Sequence, residues 1–254
     1  MIVCKSPAEI EKMRAANQLV ARVLEDLAAM VAPGVATADL DAAAEAKVRA
    51  AGAEPAFKGY RGYPATLCAS VNEQVVHGIP NRRALAAGDI VSLDMGVKLN
   101  GYYGDSAVTV AVGPVSEEVT RLLRVTQEAL EAGIAQVKVG GRISDIGHAI
   151  QRFVEAEGFS VVREFVGHGI GAALHEEPQI ANYGEPGRGP RLAEGMTLAI
   201  EPMVNMGKPA VKVLADGWTA VTKDGSLSAH FEHTVAVTNN GPDVLTMKPV
   251  GVNR

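Results

Sequence analysis

Cysteine is nearly absent from this chain. Cys4 and Cys68 are the only two among 254 residues, too few for a disulfide framework and suited to a reducing compartment. No apolar run approaches the roughly 20 residues that cross a bilayer. The opening MIVCKSPAEI has no basic region followed by an apolar core and cleavage site. A cytoplasmic location, with no signal peptide and no membrane partner, is the expectation. Positive charge is not in excess: Lys and Arg number 24 against 29 Asp and Glu, for a net charge of −5. That balance argues against nucleic-acid readout. Walker loop, dinucleotide fingerprint and nucleophile-elbow serine are all missing. What remains, 47% hydrophobic and 21% charged residues, is a soluble chain with a sizeable core.

Helix signals come in pairs. Ser6-Pro7-Ala8-Glu9 supplies a capping hydroxyl, a proline at the first helical position and a glutamate at the third. Ile10, Met13, Val20, Leu24, Leu27 and Val31 then recur on one face. Pro33-Gly34 stops that helix, and Thr37 is the expected cap of a second, running to Gly52. Ser116 opens a third, decaying near Gly140-Gly141, and Ser144 is the expected cap of a fourth, ending at Gly158. Thr37–Leu40 aligns with Ile143–Ile146, and Ala51-Gly52 with Glu157-Gly158, without a gap. Two helices followed by strands, twice over, predict an internal duplication in one domain over 1–254, with halves at 1–112 and 113–254. Runs of helices and runs of strands predict an α+β fold with helices covering one sheet face. The expected strands are ATLCASV, then ALAAGDIVSLDMGVKL and GYYGDSAVTVAV about an Asn100-Gly101 turn, then SVVREFVG, MTLAIEPMVNM, WTAVTK, LSAHFEHTVAV and a short tail strand near DVLTM.

Four carboxylates sit inside those apolar stretches: Asp94, Asp105, Glu201 and Glu232. Asp105, just after Gly104, reads equally well as a solvated face. Asp94 is harder to dismiss, because Ile90, Val91, Leu93 and Met95 surround it in both phases of the strand. Burying one unpaired carboxylate costs several kcal/mol, and no Lys or Arg lies in any of the four runs. Two divalent cations would balance the charge. Among six histidines, His77 in VVHGIP, His168 in GHGIG and His175 in LHEEP stand in unusual surroundings. His148, His230 and His233 read as hydrogen-bonded core residues. An oxygen-rich donor set with imidazole suits Co, Mn, Fe or Zn rather than a structural zinc site. A pair of such ions sharing a hydroxide performs hydrolysis.

GYRGYP at 59–64, SVNEQVVHGIP at 70–80, the Asp94/Asp105 pair, GHGIG at 167–171, LHEEP at 174–178, IEPMV at 200–204, DGW at 216–218 and SLSAHFEHT at 226–234 carry a resemblance. Together they resemble type I methionine aminopeptidases of the bacterial short form, in peptidase family M24. The resemblance covers residues 2 to 247 in order. It implies the pita-bread fold of creatinases and aminopeptidases, in which two pseudo-two-fold related helix-helix-strand halves form a curved antiparallel sheet. It implies hydrolytic removal of the initiator methionine from nascent polypeptides when the second residue is small. By the same resemblance Asp94, Asp105, His168, Glu201 and Glu232 hold two metal ions, with Glu201 also relaying a proton. His175 contacts the scissile carbonyl and His77 the scissile amide. Tyr60, Tyr63, Cys68, Leu174 and Trp218 wall the methionine pocket, with Leu174 where an aromatic is common and Phe57 where some relatives have a small thiol. A monovalent cation near Asn72 and Ser228, a monomeric state, and a transient ribosome contact through the modestly basic loop of Lys208, Lys212 and Lys223 complete the implied set. Proline-specific peptidases share the fold and the five ligands, but usually add a large amino-terminal domain and lack this combination of Cys68 and Trp218.

Overall fold

The computed structural model of the chain describes residues 1–247, so the end of the expected domain, 248–254, lies outside the described residues. Four helices form: α1 (Pro7–Met30), α2 (Thr37–Ala50), α3 (Glu117–Ile134) and α4 (Ile143–Ala156). Ser6 caps α1 through a complete capping box with Glu9, and Ser116 caps α3 through the Val119 amide. Two expected caps are corrected. Ala36 and Arg142 occupy the cap positions of α2 and α4, and neither makes the capping side-chain bond. Thr37 and Ser144 lie inside the first turn instead. Their hydroxyls bind backbone of Asn81 and Arg188, each 44 residues downstream, tying each helix start to a distant loop. The third helix also stops at Ile134, short of Gly140-Gly141. The α2 and α4 helices are both 14 residues long, and left-handed Gly52 and Gly158 follow them.

The first half contributes β1 (Glu54–Pro55), β2 (Cys68–Val71), β3 (Gln74–Val76), β4 (Ile90–Leu99) and β5 (Tyr102–Ala111). The second contributes β6 (Ser160–Val161), β7 (Gly167–Gly169), β8 (Glu176–Ile180), β9 (Thr197–Ile200), β10 (Met203–Asn205), β11 (Val211–Val213), β12 (Ala220–Thr222), β13 (Ser228–His230), β14 (His233–Thr238) and β15 (Gly241–Val244). Three expected strands are therefore broken: at Glu201-Pro202, at Phe231-Glu232, and between Val161 and Gly167. At the first two breaks the chain changes ladder, β9 pairing with β14 while β10 pairs with β13.

Every ladder is antiparallel. Asn100 and Gly101, at φ 53° and 84°, make the tight turn between β4 and β5 that suits the right-handed twist of a hairpin. On one side α1 packs Leu19, Val20, Leu24 and Leu27 against Leu93, Met95 and Val97. On the other, α3 and α4 pack Val125, Leu130, Ile146 and Ile150 against Leu198, Ile200 and Val235. Helix and sheet come close where Gly104 faces α1, since a Cβ there would stand 2.7 Å from the Asn17 nitrogen.

The two halves meet in the β3–β12 ladder and at an isolated bridge, Ala107 opposite Glu232. Ser106 Oγ donates to the Glu232 carbonyl at 2.6 Å, and the Glu232 amide donates to the Ala107 carbonyl at 3.0 Å. Through that stitch the four-stranded sheet of the first half runs on into the five-stranded sheet of the second.

Candidate metal centre

Register explains why the carboxylates converge. In β4–β5, Asp94 lies opposite Ala107 and Gly96 opposite Asp105, so the two aspartates share a face of the hairpin. Cys68 lies opposite Asp94 on the neighbouring strand. Ala107 is bridged to Glu232, and the β9–β14 ladder ends at Ile200 opposite His233. One residue further in that register sets Glu201 against Glu232. His168 lies opposite Ala199, two residues from Glu201, which puts it on the same face. All five expected ligands thus point off one continuous line across the seam.

The side chains close up accordingly. One donor atom each from Asp105, His168 and Glu232 lies within 4.8 Å of the others. His168 Nε2 is 3.6 Å from Glu201 Oε1 and 3.9 Å from Asp105 Oδ2. Asp94 and Glu201 complete the wall of the same cavity, about 160 Å³ in volume. Asp105 is 3% exposed, which removes the solvated-face reading. His168 Nδ1 stands 2.9 Å from the Gly169 carbonyl. A carbonyl only accepts, so the proton is on Nδ1 and the Nε2 lone pair faces the carboxylates, the arrangement a metal-binding imidazole requires.

Electrostatics point the same way. Burial pushes the Asp94 carboxyl up to about 7. Burial first, then neighbouring negative charge from Asp94, raises Asp105 well above the ordinary carboxylate range. Glu201 and Glu232 are raised likewise, by burial and then by the other carboxylates. Asp94 Oδ1, Asp105 Oδ1 and Glu232 Oε1 are buried without a hydrogen-bond partner among the described residues. Four clustered acids, three of them with an orphaned oxygen, and no Lys or Arg ion pair among the described residues fit a site for divalent cations.

The remaining expected residues line the same cavity: Tyr60, Tyr63, Cys68, His77, Leu174, His175 and Trp218. His175 stacks on Tyr60, with Nδ1 2.9 Å from its hydroxyl, and its ring centroid is 4.2 Å from that of His168. His77, at φ 61°, meets Phe165 and Trp218 edge-on. Burial, then the His175 charge, lowers His77 to about 4. Burial, then Arg61, lowers His175. Tyr63 donates its hydroxyl proton to the Leu67 or Gly78 carbonyl, each at 3.0 Å, and packs against Trp218. Phe57 and Arg61 are further lining residues.

Sequence reasoning missed His230. Set aside as a hydrogen-bonded core residue, it is fully buried with Nε2 unpartnered, 3.6 Å from Glu201 Oε2. His148 and His233 do behave as hydrogen-bonded structural residues, paired with the Gly184 carbonyl and Thr246 Oγ1. Asn72 and Ser228 are joined by the Ser228 amide donating to the Asn72 carbonyl at 3.0 Å.

The model of the metallopeptidase family M24 matches residues 11–239. Methionine aminopeptidase 1 of Bacillus subtilis is 55% identical over 97% of this chain and 99% of its own length. The methionine aminopeptidase structure from Thermotoga maritima superposes with a TM-score of 0.96 at 50% identity, covering 98% of this chain and 100% of that one. That from Rickettsia prowazekii gives 0.96 at 42% identity, covering 97% and 100%. The prolidase of Pyrococcus horikoshii, at 22% identity and TM-score 0.78, shares the fold across 98% of this chain but only 65% of its own. The architecture is the pita-bread fold. With the family model spanning both halves and relatives near half identity from end to end, the chain belongs to metallopeptidase family M24.

Proposed function

We infer that this chain is a metal-dependent aminopeptidase that removes N-terminal methionine from polypeptides whose second residue is small. The observation that carries the reading is the convergence of all twelve expected site residues on one cavity, in a chain whose full-length relatives are methionine aminopeptidases.

In this reading Asp94, Asp105, His168, Glu201 and Glu232 hold two divalent ions, Co, Mn, Fe or Zn, within a single catalytic domain. When bound, such ions acidify a water to serve as nucleophile and polarise the scissile carbonyl. Glu201, which lines the cavity with its side chain 14% exposed, would accept the proton released by the nucleophile and hand it to the leaving amine. His175 orients toward the carbonyl. Where the Tyr60 hydroxyl is the donor to Nδ1, the imidazole keeps its proton on Nε2 and donates to the oxygen as negative charge develops. His77 contacts the scissile amide. Tyr63, Cys68, Leu174 and Trp218 present an apolar, polarisable wall that suits a flexible thioether. A monovalent cation near Asn72 and Ser228, a monomeric cytoplasmic state, and a ribosome contact through exposed Lys208, Lys212 and Lys223 belong to the same reading.

The deciding experiment strips the metal, restores Mn, Fe, Co or Zn in turn, and compares a Met-Ala-Ser peptide with an Xaa-Pro peptide. Metal-restored cleavage of the first alone is expected. Selective cleavage of the second would transfer the protein to the proline-specific class. His77→Ala should lower turnover with little loss of bound metal, whereas Asp94→Asn should lower both while leaving the circular dichroism spectrum intact.

A further inference from the structure

We propose that Arg61 is a specificity-determining residue, a guanidinium at the cavity mouth that favours substrates carrying a carboxylate shortly after the cleaved residue. The inference rests on the aminopeptidase reading above and names a substrate class for it.

Arg61 is the sole Lys or Arg among the residues lining the cavity. It is exposed and makes no ion pair with a carboxylate among the described residues. Its charge is therefore open to solvent and to a passing ligand. The local backbone is shaped to present it. Gly59 at φ 87°, Arg61 at φ 50° and Gly62 at φ 90° form a left-handed turn, a region an L side chain rarely adopts. The turn is closed by the Gly59 amide donating to the Tyr63 carbonyl at 2.8 Å and the Tyr60 amide donating to the Phe57 carbonyl at 2.9 Å. Within it the guanidinium lies 5.4 Å over the Tyr60 ring, a cation–π contact that limits its wandering.

Position turns this charge into selectivity. Tyr60 holds His175 through its hydroxyl, and His175 is the residue assigned to the scissile carbonyl. A cavity of about 160 Å³ takes one side chain, so the rest of the substrate leaves through the mouth. The segment just past the scissile bond is therefore the one that passes Arg61. With the acidic cluster balanced by its cations, Arg61 is the formal charge that this segment meets. A carboxylate there, from an Asp or Glu side chain or from the terminus of a short peptide, gains attraction that water and salt screen but do not remove.

The test uses metal-loaded protein and C-terminally amidated Met-Ala-Glu, Met-Ala-Gln and Met-Ala-Lys peptides, with free-acid Met-Ala-Gln distinguishing a terminal carboxylate from a side-chain one. The wild-type kcat/KM ratio of Glu to Gln should be about two to five, the size expected of a partly screened charge pair, and should decline as salt is raised. Arg61→Gln should bring it near one, Arg61→Glu should place Lys above Glu, and Arg61→Lys should keep part of the preference. Trp218 is the single tryptophan and lines the cavity, so its fluorescence gives a second readout. By that readout metal-loaded protein should bind the amidated product Ala-Glu more tightly than Ala-Gln, and Arg61→Gln should erase the difference. A Glu-to-Gln ratio equal in wild type and Arg61→Gln overturns the proposal. Failure to cleave any of the peptides would instead overturn the aminopeptidase reading on which it stands.

Discussion

Lys5 Nζ lies 2.5 Å from Glu176 Oε2, with the two side chains 4% and 15% exposed. The pair ties the first residues of the chain to the strand that begins directly after His175. Lys5 also donates to the Val3 carbonyl at 3.0 Å, and Glu176 Oε1 accepts the Ala173 amide at 3.1 Å. Gly171 leaves room for the lysine stem, since a Cβ there would run into Lys5 Cε.

Removing one partner of a buried ion pair leaves the other uncompensated, at about 3–5 kcal/mol. Lys5→Met should therefore destabilise by about 3 kcal/mol in urea denaturation. Lys5→Met combined with Glu176→Leu should recover most of that loss. A single variant as stable as wild type would show that the pair is energetically idle.

Asp94 gives a pH signature in metal-stripped protein. Below about pH 4 its carboxyl is protonated in folded and unfolded chains alike. As pH rises toward 7 the unfolded chain ionises while the folded one stays neutral, because burial holds the group up to about 7. Burial of Asp94 therefore costs progressively more across that window, reaching about 4 kcal/mol. Asp94→Asn should match wild type near pH 4 and exceed it increasingly toward pH 7. Urea midpoints in chelator across this range are the measurement, and parallel curves would contradict the assignment.

Gly104 is a steric prediction. A Cβ there would stand 2.7 Å from the Asn17 nitrogen and 2.8 Å from the Ala16 carbonyl carbon, both backbone atoms that cannot rotate away. Gly104→Ala should cost about 2 kcal/mol by pushing α1 off β5. Because Asp105 follows directly, metal affinity by calorimetry should fall with it.

The chain also reports on its own activity. Residue 2 is Ile, a bulky neighbour that an aminopeptidase selective for small second residues leaves alone. A peptide of the first residues, Met-Ile-Val, should therefore resist the metal-loaded protein, whereas Met-Ala-Val should lose its methionine, as read by mass spectrometry.

Much of the site is written in local pattern. A two-residue turn at Asn100-Gly101 pairs Leu99 with Tyr102, and Asp94 and Asp105, each an odd number of steps inward from that pair, then fall together on the opposite face. Apolar neighbours in both phases of the strand bury Asp94, which is why a compensating cation could be anticipated, whereas Asp105, between Gly104 and Ser106, was open to a solvated reading that only the fold removed. Ser6 and Ser116 were legible as caps because each bonds within its own first turn. Thr37 and Ser144 were not, because their partners lie 44 residues away.

His230 escaped notice for a similar reason. In the string LSAHFEHTVAV nothing marks the point where the chain leaves β13 for β14, since that break exists only relative to the two strands they pair with. The meeting of the halves has the same origin. It hangs on the β3–β12 ladder, on the Ala107–Glu232 bridge, and on the Ser106 and Thr109 hydroxyls reaching carbonyls 126 and 121 residues on. Turn chemistry, helix starts and buried acids are properties of neighbours along the chain, so composition and spacing encode them. Which strand edges join is a competition among distant ladders, settled by burial and hydrogen-bond continuity across the whole fold.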